Sequence, residues 1–83
     1  MKYNYLLDGN RVNPLKFEEA QVIQLLCEGE DIKSIAGIMD RGRDSINMYI
    51  RNAKDKLKVN TRDQLVAVAV KKELIDFKSV DHD

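Results

Sequence analysis

Between Arg43 and Lys58 two kinds of side chain follow the same helical period on different faces. Ile46, Ile50, Ala53 and Leu57 recur at four, three and four residues, which draws one apolar line along an α-helix. Arg43, Asn47, Arg51, Lys54 and Lys58 recur at four, four, three and four, which draws a second, polar and cationic line. Successive residues turn by about 100°, so Ile46 and Asn47 point to different sides. Such a helix packs one face and presents the other to solvent or to a partner.

The charge follows the same segment. The whole chain is neutral, with 14 Lys and Arg against 14 Asp and Glu. From Arg41 to Arg62, however, seven cations (Arg41, Arg43, Arg51, Lys54, Lys56, Lys58 and Arg62) meet two acids, Asp44 and Asp55, for a net +5. The remainder carries −5. A basic segment on an acidic body is the footprint of a polyanion-binding face. The plainer alternative is a charged helix that is merely solvated.

Three further helices are legible. Asn13-Pro14 offers a cap and a first-turn proline, so a first helix is expected to start there. Glu18 and Glu19 lie early in it, where the helix dipole favours acids. Leu15, Val22, Ile23, Leu25 and Leu26 supply its apolar face, and Gly29 ends it. Asp31 can cap a short second helix whose expected buried side is Ile32, Ile35, Ala36, Ile38 and Met39. It stops near Asp40, and Arg41-Gly42 is the expected turn, with Gly42 supplying unusual backbone freedom. Thr61 and Gln64 match a capping box for a fourth helix, and Leu65–Val70 is too broadly apolar for the core alone. Asp8-Gly9, flanked by Tyr3, Tyr5, Leu7 and Val12, signals a hairpin or docked arm. The expected organisation is an arm at 1–12, a helical domain at 13–77 in which Phe77 packs after Leu74 and Ile75, and a polar tail at 78–83.

Other function classes find little material. At 83 residues this is one small domain that buries only about 60% of its unfolded surface, so association would help it. A hydrophobic content of 43% beside 34% charged residues fits a globular rather than a disordered chain. The lone Cys27 allows no internal disulfide and fits a small buried hydrophobe better than a regulatory thiol. With His82 as the single histidine there is no metal-ligand set, and no nucleophile–base pair or phosphate-cradling glycine loop is visible. The expectation is no enzyme, no cofactor and no metal. The apolar runs are too short for a membrane span and no secretory signal is evident, so a cytoplasmic, nucleoid-associated protein is expected.

A short helix, a tight turn and a longer two-faced helix make helix-turn-helix anatomy in an all-α, four-helix domain. In that motif the second helix enters the major groove, roughly 12 Å wide, with its early residues near base edges. Asn pairs well with adenine and Arg with guanine. Asn47 and Arg51, one turn apart, therefore suit bases, and Lys54 and Lys58 suit phosphates. Met48 offers an apolar contact to a thymine methyl or packs internally.

The stretch from Leu15 to Ile75 also resembles a known family. Glu19, Val22, Leu25, Leu26, Glu28 and Gly29 resemble the first helix of the LuxR-type (GerE-like) helix-turn-helix domain. Lys33, Ile35, Ala36 and Met39 resemble its second. Ser45, Ile46, Ile50, Asn52, Lys56, Leu57 and Val59 resemble its third, and Arg62, Ala67, Ala69, Leu74 and Ile75 its ending. The resemblance implies bacterial transcription regulation on double-stranded DNA. It places Asn47, Met48 and Arg51 toward bases and Ser45 and Lys33 toward phosphate. It implies a homodimer contact on the fourth helix, here Leu65, Val66, Ala69 and Val70.

Departures are local. Where the family has Thr-Pro this chain has Lys16-Phe17, so the first helix is expected to begin one turn sooner, at Asn13-Pro14. Arg41 replaces an aliphatic residue, Gly42 a Ser cap, Asn47 a Lys and Tyr49 a His. These changes weaken the start of the third helix and lower the expected affinity. They leave an alternative, a protein-interaction module that pairs with a larger regulator. Met1 and the unusual arm favour a stand-alone small protein over a fragment.

Overall fold

The computed structural model describes residues 6–7 and 11–75, with side-chain surroundings from residue 13 onward. A two-residue antiparallel pair, β1 (Leu6–Leu7) and β2 (Arg11–Val12), sets Leu6 opposite Val12 and Leu7 opposite Arg11. Four helices follow: α1 (Phe17–Cys27), α2 (Ile32–Met39), α3 (Arg43–Leu57) and α4 (Arg62–Lys71). The expected Asp8-Gly9 turn, Tyr3, Tyr5, Phe77, His82 and the tail lie outside the described residues.

The helix α3 is central. It packs against α1, α2 and α4, and α1 also touches α2 and α4, whereas α2 and α4 do not meet. Its apolar line does what the period requires: Ile46, Ile50 and Ala53 are buried and Leu57 is half-buried. They meet Ala20, Val22 and Ile23 of α1, Ile35 of α2, and Leu65 and Ala69 of α4, with Leu15, Leu74 and Ile75 closing the ends. Burying each larger aliphatic side chain contributes about 1.5–3 kcal/mol, so the small domain rests on few residues.

Three expectations are corrected. The first helix begins at Phe17, with Lys16 in the capping position. Asn13 does not cap it, because its side chain is engaged elsewhere. Its Oδ1 accepts from the Leu15 N–H at 2.8 Å, and its Nδ2 donates to the Leu74 carbonyl at 3.0 Å. Ile38, expected inside, is 55% exposed. It lies about 100° from the centre of the line through Ile32, Ile35, Ala36 and Met39. Gly42 is extended (φ −72°, ψ 159°) and serves as the N-cap of α3. The left-handed residue of that turn is Asp40, at φ 57°.

All four helices end by the same device. In each, a left-handed residue and the one after it turn their N–H groups back to the last turn. Gly29 donates to Leu26 and Glu30 to Leu25, both at 3.0 Å. Asp40 and Arg41 do this for α2, Lys58 and Val59 for α3, and Glu73 and Leu74 for α4. Three of these four left-handed positions hold a residue with a Cβ: Asp40, Lys58 and Glu73. That conformation costs an L-residue roughly 1–2 kcal/mol, which glycine avoids at some entropic cost in the unfolded chain. Glu73→Gly is therefore expected to raise the melting temperature by about 3–5 °C in a thermal scan. A lower midpoint would show that Glu73 is not strained.

Candidate nucleic-acid interface

The gap between α2 and α4 is where the polar line of α3 emerges. Arg43, Asn47, Arg51 and Lys58 are exposed and Lys54 is half-buried. Asn47, Arg51 and Lys54 line one open concavity of about 340 Å³ together with Ile32, Ile50 and Arg62. Arg62 opens α4 and was not among the residues expected to bind. Its one sequence signal was membership of the basic segment. Arg43 and Lys58 flank this cluster at the two ends of α3. Met48 is 40% exposed, so it is a surface side chain rather than an internal one. Lys33, on α2, is exposed, and Ser45 is half-buried on α3.

The neighbouring helix starts are well capped. Asp31 Oδ1 accepts from the Ser34 N–H at 2.8 Å. That hydrogen bond, chiefly, holds the Asp31 carboxyl below the usual carboxylate range, with smaller help from Lys33 and Arg43. A depressed folded-state pKa stabilises above the unfolded value and is lost as pH falls through the folded one. Acid titration of stability should therefore be shallower in Asp31→Ala than in the parent chain below the ordinary carboxylate range. Equal slopes would show that the cap does not titrate. Thr61 Oγ1 accepts from Gln64 N at 3.1 Å while Gln64 Oε1 accepts from Thr61 N at 3.3 Å, the expected capping box. Gly42 gives α3 no side-chain cap, but an added Cβ there would meet nothing within 4 Å.

Two of the seven cations are engaged inside the domain. Lys56 Nζ lies 2.7 Å from Glu19 Oε1, and Glu19 is 1% exposed. The same oxygen accepts the Lys16 N–H at 2.9 Å, which supplies one side of a cap that a Lys side chain cannot return. Arg41 donates from Nη1 to the Tyr49 hydroxyl at 2.8 Å, and its guanidinium carbon stands 5.9 Å from the ring centroid. Its Nη2 is 4.0 Å from Glu18. These links tie α1 and the α2–α3 turn to α3.

The four α4 residues expected to face a second copy divide. Leu65 and Ala69 are fully buried in the protomer's own core and have no surface to offer. Val66 and Val70 are half-buried and line an open groove with Leu26, Cys27 and Ala67. Burial, and then Glu28, push the Cys27 thiol up, which suppresses the thiolate and fits the packing role. Among the described residues no helix is long and apolar enough to cross a membrane.

The family model for bacterial regulatory proteins, luxR family, matches residues 14–69. The chain belongs to this family. No curated protein matches. Among solved structures the domain superposes on the crystal structure of the phage VqmA–DPO complex with a TM-score of 0.70 at 24% identity. That likeness covers 80% of this chain and 29% of the other, and it shows the fold. A luxR-family helix-turn-helix domain is a DNA-binding, transcription-regulating module. In this chain Lys16 takes the capping position and Phe17 opens α1.

Proposed function

We propose that this domain is a sequence-specific transcription regulator that lays α3 in the major groove. The observation that supports this best is the cluster of Asn47, Arg51, Lys54 and Arg62 in one concavity between α2 and α4, flanked along α3 by the exposed Arg43 and Lys58. Asn47, Met48 and Arg51 take base edges; Lys33, Ser45, Lys54 and Lys58 take phosphates, with Arg62 beside them. The regulator works as a homodimer on a two-fold site, docked through Val66 and Val70 of α4. Such action belongs with the nucleoid, in the cytoplasm.

An unbiased selection of bound DNA by the purified chain tests all of this together. The expected result is an enriched palindrome whose half-sites lie about one helical turn, or a multiple, apart. Val66→Asp with Val70→Asp should retain the half-site preference while losing the symmetric pair and the dimer in sedimentation. No enrichment at low salt overturns DNA reading. A second function, pairing with a larger regulator, gains support from the internal engagement of Lys56 and Arg41, which leaves five cations of the seven for DNA. Recovery of such a regulator by a domain that selects no DNA would favour it.

A further inference from the structure

The face of α3 that turns away from the core carries an acid among its base-facing residues. At about 100° per residue, Asn47, Arg51, Asp44 and Met48 fall in that angular order within an arc of roughly 100°. All four are exposed. All lie in the first nine residues of α3, the part of a recognition helix that reaches base edges. The Asp44 carboxylate has no hydrogen bond or ion pair with any of the described residues. An unpaired carboxylate facing a polyanion lowers affinity for every sequence unless it finds a donor there. In the major groove a carboxylate finds its donor in an exposed amino group, and the pairing suited to Asp is the N4 amino group of cytosine.

Resting on the major-groove reading above, we infer that Asp44 is a specificity-determining residue that accepts from a cytosine N4 amino group in each half-site. Arg51 then reads guanine and Asn47 adenine on the same face, so an acid, an amide and a guanidinium demand three different base edges. Asp44 also penalises sites that offer no amino group, which turns a weakly cationic surface into a selective one. Helix-end electrostatics alone can account for an acid in the first turn of α3, but it makes no demand on the DNA sequence.

The test is the bound-DNA selection repeated with Asp44→Asn and Asp44→Ala, with helicity and melting measured alongside. The wild-type chain should show one cytosine per half-site that both variants lose, with discrimination at that position falling about tenfold. Asp44→Asn should move the preference toward adenine, and binding to unrelated DNA should tighten in both variants. Base preferences unchanged in folded Asp44→Asn overturn the assignment while leaving DNA reading intact. If the wild-type chain selects no sequence, the major-groove reading fails and takes the assignment with it. Should Asp44→Ala fail to fold, Asp44→Asn, which retains a polar side chain of the same shape, decides the question.

Discussion

Lys56→Met is expected to lower the melting temperature by roughly 12–24 °C, for a loss of about 3 kcal/mol. Glu19 is 1% exposed and Lys56 is its ion-pair partner at 2.7 Å. Removing one member of a buried pair leaves a charge without solvent or counterion, which usually costs about 3–5 kcal/mol. The low end applies because the Lys56 side chain is 31% exposed and partly screened by water. A domain of this size has only about 4–12 kcal/mol in total, so the variant should approach the limit of folding. The effect is directional. Glu19→Gln should cost less, since the ammonium it frees can reach water, and Glu19→Gln with Lys56→Met should be more stable than Lys56→Met alone. A Lys56→Met midpoint within about 3 °C of the parent would show that the pair does little.

The second large effect concerns DNA. Arg51→Ala and Lys54→Ala should each weaken binding about tenfold. They should differ in kind. Lys54 is proposed to neutralise phosphate, so its loss should lower affinity for all sequences alike and reduce the slope of log affinity on log salt by about 1. Arg51 is the proposed base reader, so its loss should also relax the preference at one position. Arg62→Ala should resemble Lys54→Ala, because Arg62 lines the same concavity. The Lys56 variant, if folded, should leave the salt slope unchanged, because that charge already has a partner inside the protein. Unchanged binding in both Arg51→Ala and Lys54→Ala would remove α3 from the interface.

Much of this architecture was legible because periodicity is a strong signal in a long two-faced helix. The lines on α3, the Asp31 cap and the Thr61–Gln64 box all appear as the spacing dictates. What was not legible depends on partners distant in the chain. Glu19 looked like a dipole-favoured acid, yet it lies three and four residues before Val22 and Ile23, on the buried side of α1. That placement was the available signal that it needed a cation. Counting Lys56 and Arg41 as free charge overstated the binding face, because a sum over residues ignores internal pairing. Asn13 has the chemistry of a cap, and local rules do not reveal that a carbonyl 61 residues away competes for it. On α4 the pattern points to Val66 and Val70 as the outward excess, but the dimer contact implied by the resemblance also took in Leu65 and Ala69, which α1 and α3 cover. Leu65 and Ala69 are covered, and Val66 and Val70 are not fully so.

The hydrogen bond from Asn13 to the Leu74 carbonyl makes the helical unit a closed loop. The chain arrives and departs at one seam, beside Leu15 and Leu74, both 2% exposed. Fraying at one border of the unit therefore loosens the other. Trimming back to residue 73 would release the first turn before α1 as surely as trimming the front. Native-state hydrogen exchange would register the two borders as one cooperative unit rather than two independent ends. Whatever is joined on either side of the seam bears on α4, and so on the Val66–Val70 face.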